Sequence, residues 1–138
     1  NWSHKHARRM WSLKDNPELS FMALKDFDQD MITLIKRGSV LRYAPTQLYV
    51  SDSQKVLIFG RGRFIFALNF SPVHSFTDFE FCAPSGEYRI ALNTDAKNYD
   101  GFGRIDESVH HFTSRKDGGD KLSLYLPSRS AIVLEKIR

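Results

Sequence analysis

The period of the apolar positions changes once along this chain, near Gly38. Before it, Leu24, Phe27, Met31 and Leu34 recur three or four residues apart, with Phe21 and Ile35 flanking the stripe. That spacing draws one apolar face on an α-helix and predicts a helix over residues 17–36. Asn16 suits its N-cap, Pro17 its first position, Glu18 its dipole, and Gly38 stops it. Residues 4–13 also carry helix formers behind Ser3, a plausible cap. Beyond Gly38 the rhythm is that of short strands. Residues 48–50 form the first candidate. Residues 54–72 hold two runs rich in Val, Ile, Leu and Phe around Gly60-Arg61-Gly62, which predicts a β-hairpin. Its strands hardly alternate, so both faces are expected to be buried and the hairpin to lie centrally. Residues 75–82, 86–92, 109–113, 122–126 and 131–137 complete the strands, while residues 93–104, rich in Asp, Asn and Gly, read as a loop. In the 75–82 strand Phe79 and Phe81 share one side, Glu80 takes the other, and Asp78 falls outside the rhythm.

Seven or eight short strands without helical pattern between them indicate a mainly β chain, an antiparallel sandwich or barrel. The organisation that follows is a helical segment over 1–38, too short to fold alone, and an all-β domain over 39–138. Asn1-Trp2-Ser3 leads into structured-looking sequence without an initiator Met, so the sequence reads as a segment of a longer chain.

Composition narrows this only slightly. The chain has 138 residues, enough for one core, and eleven Phe within 41% apolar content, which excludes disorder. No apolar run approaches the roughly 20 residues of a membrane span, and no signal peptide is visible. The single cysteine, Cys82, cannot form an internal disulfide and fits a reducing compartment, the cytoplasm. Between Phe81 and Ala83 it is expected to be a small buried hydrophobe. The net charge is +4, but Lys and Arg are scattered among sixteen acids, which argues against a nucleic-acid partner.

Candidate chemistry is sparse. His110 and His111 are adjacent on a strand and must face opposite ways, so they cannot readily share a metal. Gly60-x-Gly62 and Gly101-x-Gly103 lack the lysine and the helix of a phosphate loop and read as turns. No nucleophile elbow is present, and no pair of carboxylates has surroundings that would push their pKa values apart. Neither a metal nor a cofactor is expected.

Two stretches carry a resemblance. Residues 1–31 contain Arg8-Arg9-x-Trp11-Ser12-Leu13, then Asp15 and Phe27-Asp28-x-x-Met31. The β region contains Phe59, Arg61-Gly62 and Asn69-Phe70, then Gly86-x-Tyr88-Arg89-x-Ala91-Leu92, Asp95-Ala96, Gly101-x-Gly103-Arg104 and His111-Phe112-Thr113-Ser114. In this order they resemble the end of the catalytic barrel and the C-terminal domain of glycogen and starch branching enzymes, within the α-amylase superfamily. The chain departs from that pattern at Ala7, at Met10 and in a short loop at 115–121.

The resemblance implies an antiparallel β-sandwich of the α-amylase C-terminal all-β type, preceded by helices left from the end of a (β/α)8 barrel. It implies a fragment of a 1,4-α-glucan branching enzyme that is itself non-catalytic and stabilises the barrel. The alternative is an α-glucan-binding module of another α-amylase-family enzyme. The retaining chemistry of the superfamily needs two carboxyl groups about 5 Å apart on barrel strands, and those lie upstream. Gly103-Arg104-Ile105-Asp106 imitates the nucleophile motif, but no barrel strand leads into Asp106. The expected partners are an α-glucan, through the parent enzyme, and the catalytic barrel, with no membrane. If sugar is bound here, the candidates are Trp2, Arg8, Arg9 and Trp11, where aromatic and basic residues concentrate, and Tyr99 and Phe102 in the 93–104 loop.

Overall fold

The computed structural model describes residues 10–138. Nine antiparallel strands form two sheets. The larger has the order β1-β2-β3-β9-β5-β6 and the smaller β4-β8-β7. The strands are β1 (Thr46–Ser51), β2 (Val56–Arg61), β3 (Phe64–Asn69), β4 (Phe76–Cys82), β5 (Glu87–Asn93), β6 (His110–Phe112), β7 (Ser114–Lys116), β8 (Gly119–Leu126) and β9 (Ser130–Lys136). Among the described residues one α-helix, α1 (Phe21–Arg37), precedes them.

The pleat explains the core. Successive side chains on a strand face opposite ways, so Ile58, Ile65, Ile132, Leu134 and Tyr88 of the large sheet meet Phe79, Phe81, Leu122, Leu124 and Leu126 of the small one. The opposite face of the large sheet carries Phe64, Val133 and Leu92, and α1 lies over it through Leu34, Phe27, Met31 and Ile35. A bulge between Ile90 and Leu92 turns Leu92 into this second cluster while Tyr88 points into the first. Burial on both faces is therefore real for β3, where Phe64, Ile65 and Ala67 are all buried. On β2 it is incomplete, because Leu57 and Phe59 alternate with buried Val56 and Ile58 and are only half-buried. Phe59 stacks on Phe66 with ring centres 4.9 Å apart.

Several details differ from expectation. The hairpin turns at Gly62-Arg63, two residues later than the glycine pair suggested: Gly60 and Arg61 still pair with Ile65 and Phe64. Gly62 has φ of 62°, the positive value that a two-residue hairpin turn needs. The helix begins at Phe21, because Asn16 accepts a hydrogen bond from the Glu18 N–H (3.0 Å) in a local turn that seeds no helix. Ahead of it, Trp11–Asp15 is a 3-10 turn, and residues 4–9 of the shorter predicted helix lie outside the described residues. Finally, Cys82 is exposed, not buried. Phe79 and Phe81 point inward, so the pleat sends Glu80 and Cys82 outward, where Lys121 Nζ lies 3.1 Å from Cys82 Sγ. Strand β7 was unforeseen, since Ser-Arg-Lys carries no apolar signal; it pairs with the start of β8.

Candidate functional site

Strands β3 and β5 finish, and β9 starts, at one end of the sandwich, where Asn69 pairs with Ser130 and Asn93 with Ile132. Three loops leave there, at 70–75, 94–109 and 127–129, and polar side chains brace them. The buried Asn69 amide donates to the carbonyls of His74 (2.9 Å) and Leu126 (3.1 Å), and its oxygen accepts from Ser71 N–H at 3.0 Å. Arg129 donates through its backbone to Ser71 O and through Nε to Pro72 O, each at 3.1 Å.

The long loop is folded around Asp95, which is 3% exposed. Arg104 donates to Asp95 through its backbone N–H (2.7 Å) and through Nη2 (2.6 Å), then reaches Ser128 O at 3.1 Å. Burial opposes ionisation of Asp95, but these hydrogen bonds and the Arg104 charge outweigh it and hold the carboxyl below its ordinary range. Gly101 crosses so close to the Asp95 backbone that a Cβ would sit 2.2 Å from its carbonyl carbon, so no larger residue fits there.

The predicted aromatics of this loop go separate ways. Tyr99 is half-buried: its ring meets Phe27 of α1 edge-on at 5.4 Å and its hydroxyl donates to Asp30 at 2.5 Å. Burial and the Asp30 carboxylate push its pKa up to about 12. Tyr99 thus ties the loop to the helix. Phe102 is 79% exposed, with the Arg104 guanidinium 5.0 Å from its ring centre. A residue missed from the sequence joins it at this end. Phe70, assigned to a core strand, follows the last residue of β3 and is 61% exposed. It borders a groove of about 420 Å³ shared with Asn69, Thr94, Arg129 and Ser130. Only its position one residue past Asn69 and two before Pro72 could have signalled this.

An exposed ring beside hydroxyl and guanidinium groups is the arrangement that receives the apolar face of a sugar. Two carboxylates at this end, Asp95 and Asp106, are otherwise engaged. Asp95 is consumed by Arg104. Asp106 accepts from the Ser108 N–H (2.9 Å) and Oγ (2.6 Å) in an exposed turn, and those bonds lower its pKa. Trp2, Arg8 and Arg9 lie outside the described residues, and of Trp11 only the backbone is described.

The histidines do face apart. His110 Nδ1 lies 2.7 Å from Glu87 Oε1 at the surface. His111 lines a cavity of about 250 Å³ between the sheets, with Ile90, Ile105, Leu124 and Ile132, and its buried Nε2 has no hydrogen-bond partner. Among the described residues no group of three or more His, Cys, Asp or Glu could hold a metal. No helix there is long and apolar enough to cross a membrane.

Comparison with known proteins agrees with this architecture. Residues 49–137 match the family described as alpha amylase, C-terminal all-beta domain. The chain is 36% identical to a 1,4-alpha-glucan-branching enzyme of Saccharomyces cerevisiae, over 96% of this chain and 20% of that protein. The corresponding enzyme of Dictyostelium discoideum is 34% identical over 99% of this chain and 21% of its own length. The chloroplastic/amyloplastic enzyme of Oryza sativa subsp. japonica is 38% identical over 83% and 14%. The chain thus spans about a fifth of the length of the first two relatives and less of the third. With two antiparallel sheets packed face to face and a family match covering eight of its nine strands in full, it belongs to the alpha-amylase C-terminal all-beta domain family.

Proposed function

We propose that this chain is the C-terminal β domain of a 1,4-α-glucan branching enzyme, without catalytic groups of its own, and that it stabilises the catalytic barrel. The parent cleaves an α-1,4 bond and transfers the chain to a 6-hydroxyl. The observation that carries this reading is the similarity to branching enzymes along 96–99% of the chain. The division at residue 38 fits it: residues 1–38 finish the barrel and 39–138 form the β domain. Helix α1 supports the role of mediator, since Leu34 is buried on the sandwich while Phe21, Met22 and Ile32, off that face, are exposed. The barrel is the partner for that flank, and α-glucan reaches this chain through the parent. Trp2, Arg8, Arg9 and Trp11 remain the candidates for contact with the barrel or with glucan. The exposed, unpaired Cys82 fits a cytoplasmic, reducing setting. Assaying the 138-residue chain on amylose tests the reading: no new α-1,6 linkages are expected, and adding the chain to the rest of the parent lacking it should raise branching activity. Branching by the chain alone, or no effect on the truncated parent, would sink it.

A second reading, an α-glucan-binding module, draws on Phe102 and on Phe70 beside its groove. Titration with maltoheptaose should shift both rings if it is right; silence to millimolar sugar leaves the cap alone standing.

A further inference from the structure

At the end of the large sheet opposite these loops, one acidic side chain holds three arginines. Glu135 of β9 is 4% exposed and lies on the outer face, beside the C-terminus of α1. Arg89 of the neighbouring β5 donates to Oε2 through Nη2 (2.8 Å) and Nε (3.2 Å). Arg37, the last residue of α1, reaches the same oxygen at 3.3 Å, and Arg63, in the β2–β3 turn, reaches Oε1 at 2.8 Å. Burial opposes ionisation of Glu135, but the Arg89 hydrogen bond and the three guanidinium charges outweigh it and keep the carboxylate charged. Three positive groups therefore converge on one negative group. The next acid along β5, Glu87, is occupied by His110 at 2.7 Å and lies 3.9 Å from Arg138.

The arginine side chains are about half exposed, at 53%, 53% and 48% for Arg37, Arg63 and Arg89. A guanidinium has five N–H donors, and each of these spends only one or two on Glu135. Donors that Glu135 does not use thus remain on three half-exposed side chains that the one carboxylate holds together. Arg63 is steadied further, with its guanidinium carbon 5.4 Å from the centre of the Phe64 ring. An excess of pre-oriented guanidinium groups matches a tetrahedral oxyanion with several acceptor oxygens, because each oxygen can take a charge-assisted bond.

We propose that Arg37, Arg63 and Arg89, organised by Glu135, form a binding site for a phosphate group, either inorganic phosphate or the phosphate of a sugar monoester. The inference is independent of the branching-enzyme reading. It joins the last turn of α1, the β2–β3 turn and β5, so occupancy would clamp the helix to the sheet.

The test is titration of the 138-residue chain with inorganic phosphate at constant ionic strength, followed by NMR of the arginine side chains and backbone. Saturable shifts at Arg37, Arg63 and Arg89 are expected, with equal chloride producing none. Arg63→Gln, a substitution in an exposed turn, should weaken binding roughly tenfold by removing a charge-assisted contact. Glu135→Gln, if it folds, should bind phosphate more tightly, because the internal competitor has gone. Glucose 1-phosphate distinguishes the sources: equal affinity assigns the site to the phosphate alone, tighter binding to a sugar monoester. Linear, non-saturating shifts that chloride reproduces, or a phosphate affinity unchanged in Arg63→Gln, would overturn the proposal.

Discussion

At the scale of single residues, stability rests on a few buried polar groups and the side chains that hold them. Arg104 is the clearest. Its side chain is 28% exposed and the Asp95 side chain that it holds is 3% exposed. Arg104→Ala leaves a buried carboxylate without its cation, which should cost about 3 kcal/mol or more in urea unfolding. Phe102→Ala, which removes the exposed ring above it, should stay within about 0.5 kcal/mol of the parent. The two variants separate the loop's scaffold from its surface. His111 provides a pH signature. Burial lowers its pKa, the Ser123 backbone partly restores it, and His110 lowers it further. The unfolded chain therefore takes up a proton at the ordinary imidazole value, about 6.5, where the folded chain does not. Stability should fall as pH drops below that value until the folded histidine titrates too. His111→Phe should flatten the slope in thermal melts between pH 7 and 5. Asp95 and Glu135 have the same sign in a lower window, since their lowered pKa values give stability that is lost as pH falls below the ordinary carboxylate value of about 4. The two effects thus occupy separate pH windows.

At the scale of elements, the helix is the informative case. Its apolar stripe was legible in the sequence, but which residues of the stripe meet the sheet was not. Leu34 is 5% exposed against Phe64, Val133 and Leu92, whereas Leu24, on the same predicted stripe, is 61% exposed. Leu34→Ala should cost about 2–5 kcal/mol and Leu24→Ala less than about 0.5 kcal/mol, as chemical denaturation would read. Equal losses would mean that the helix packs through its whole stripe. The strands were legible because alternation in 75–82 and near-continuous apolar runs in 56–69 follow directly from one buried face or two. Cys82 was misjudged for a local reason: its neighbours Phe81 and Ala83 are buried, and on a strand that places the residue between them outside. Phe70 was misjudged because composition continues past Asn69 where the strand does not. Neither the Asp95–Arg104 pair nor the arginines around Glu135 had any signal in sequence. Residues 37, 63, 89 and 135 meet only because β9 lies between β3 and β5.

At the scale of the whole molecule, the two faces of the large sheet have different fates. The inner face is closed by the small sheet, while the outer face is closed by α1 over β3, β9 and β5. Exposed apolar side chains lie on the open flank of the helix and just after it, including Phe21, Ile32, Leu41 and Tyr43. Such a surface favours contact with another body. The isolated chain should therefore self-associate at high concentration, and Phe21→Ser with Ile32→Ser should return it to a monomer in sedimentation. A monomeric parent chain throughout would count against the barrel as the natural cover for that flank. The position of β9 has a further consequence, for biosynthesis. This strand is the seam between the β1–β2–β3 meander and the β5–β6 hairpin, which pair with nothing else in common. While residues 130–136 remain inside the ribosome, the nascent polypeptide holds two half-sheets, each with an open edge where the seam will go. A chain ended just after Leu126 would make that waiting state permanent, yielding a product fit mainly for aggregation or degradation.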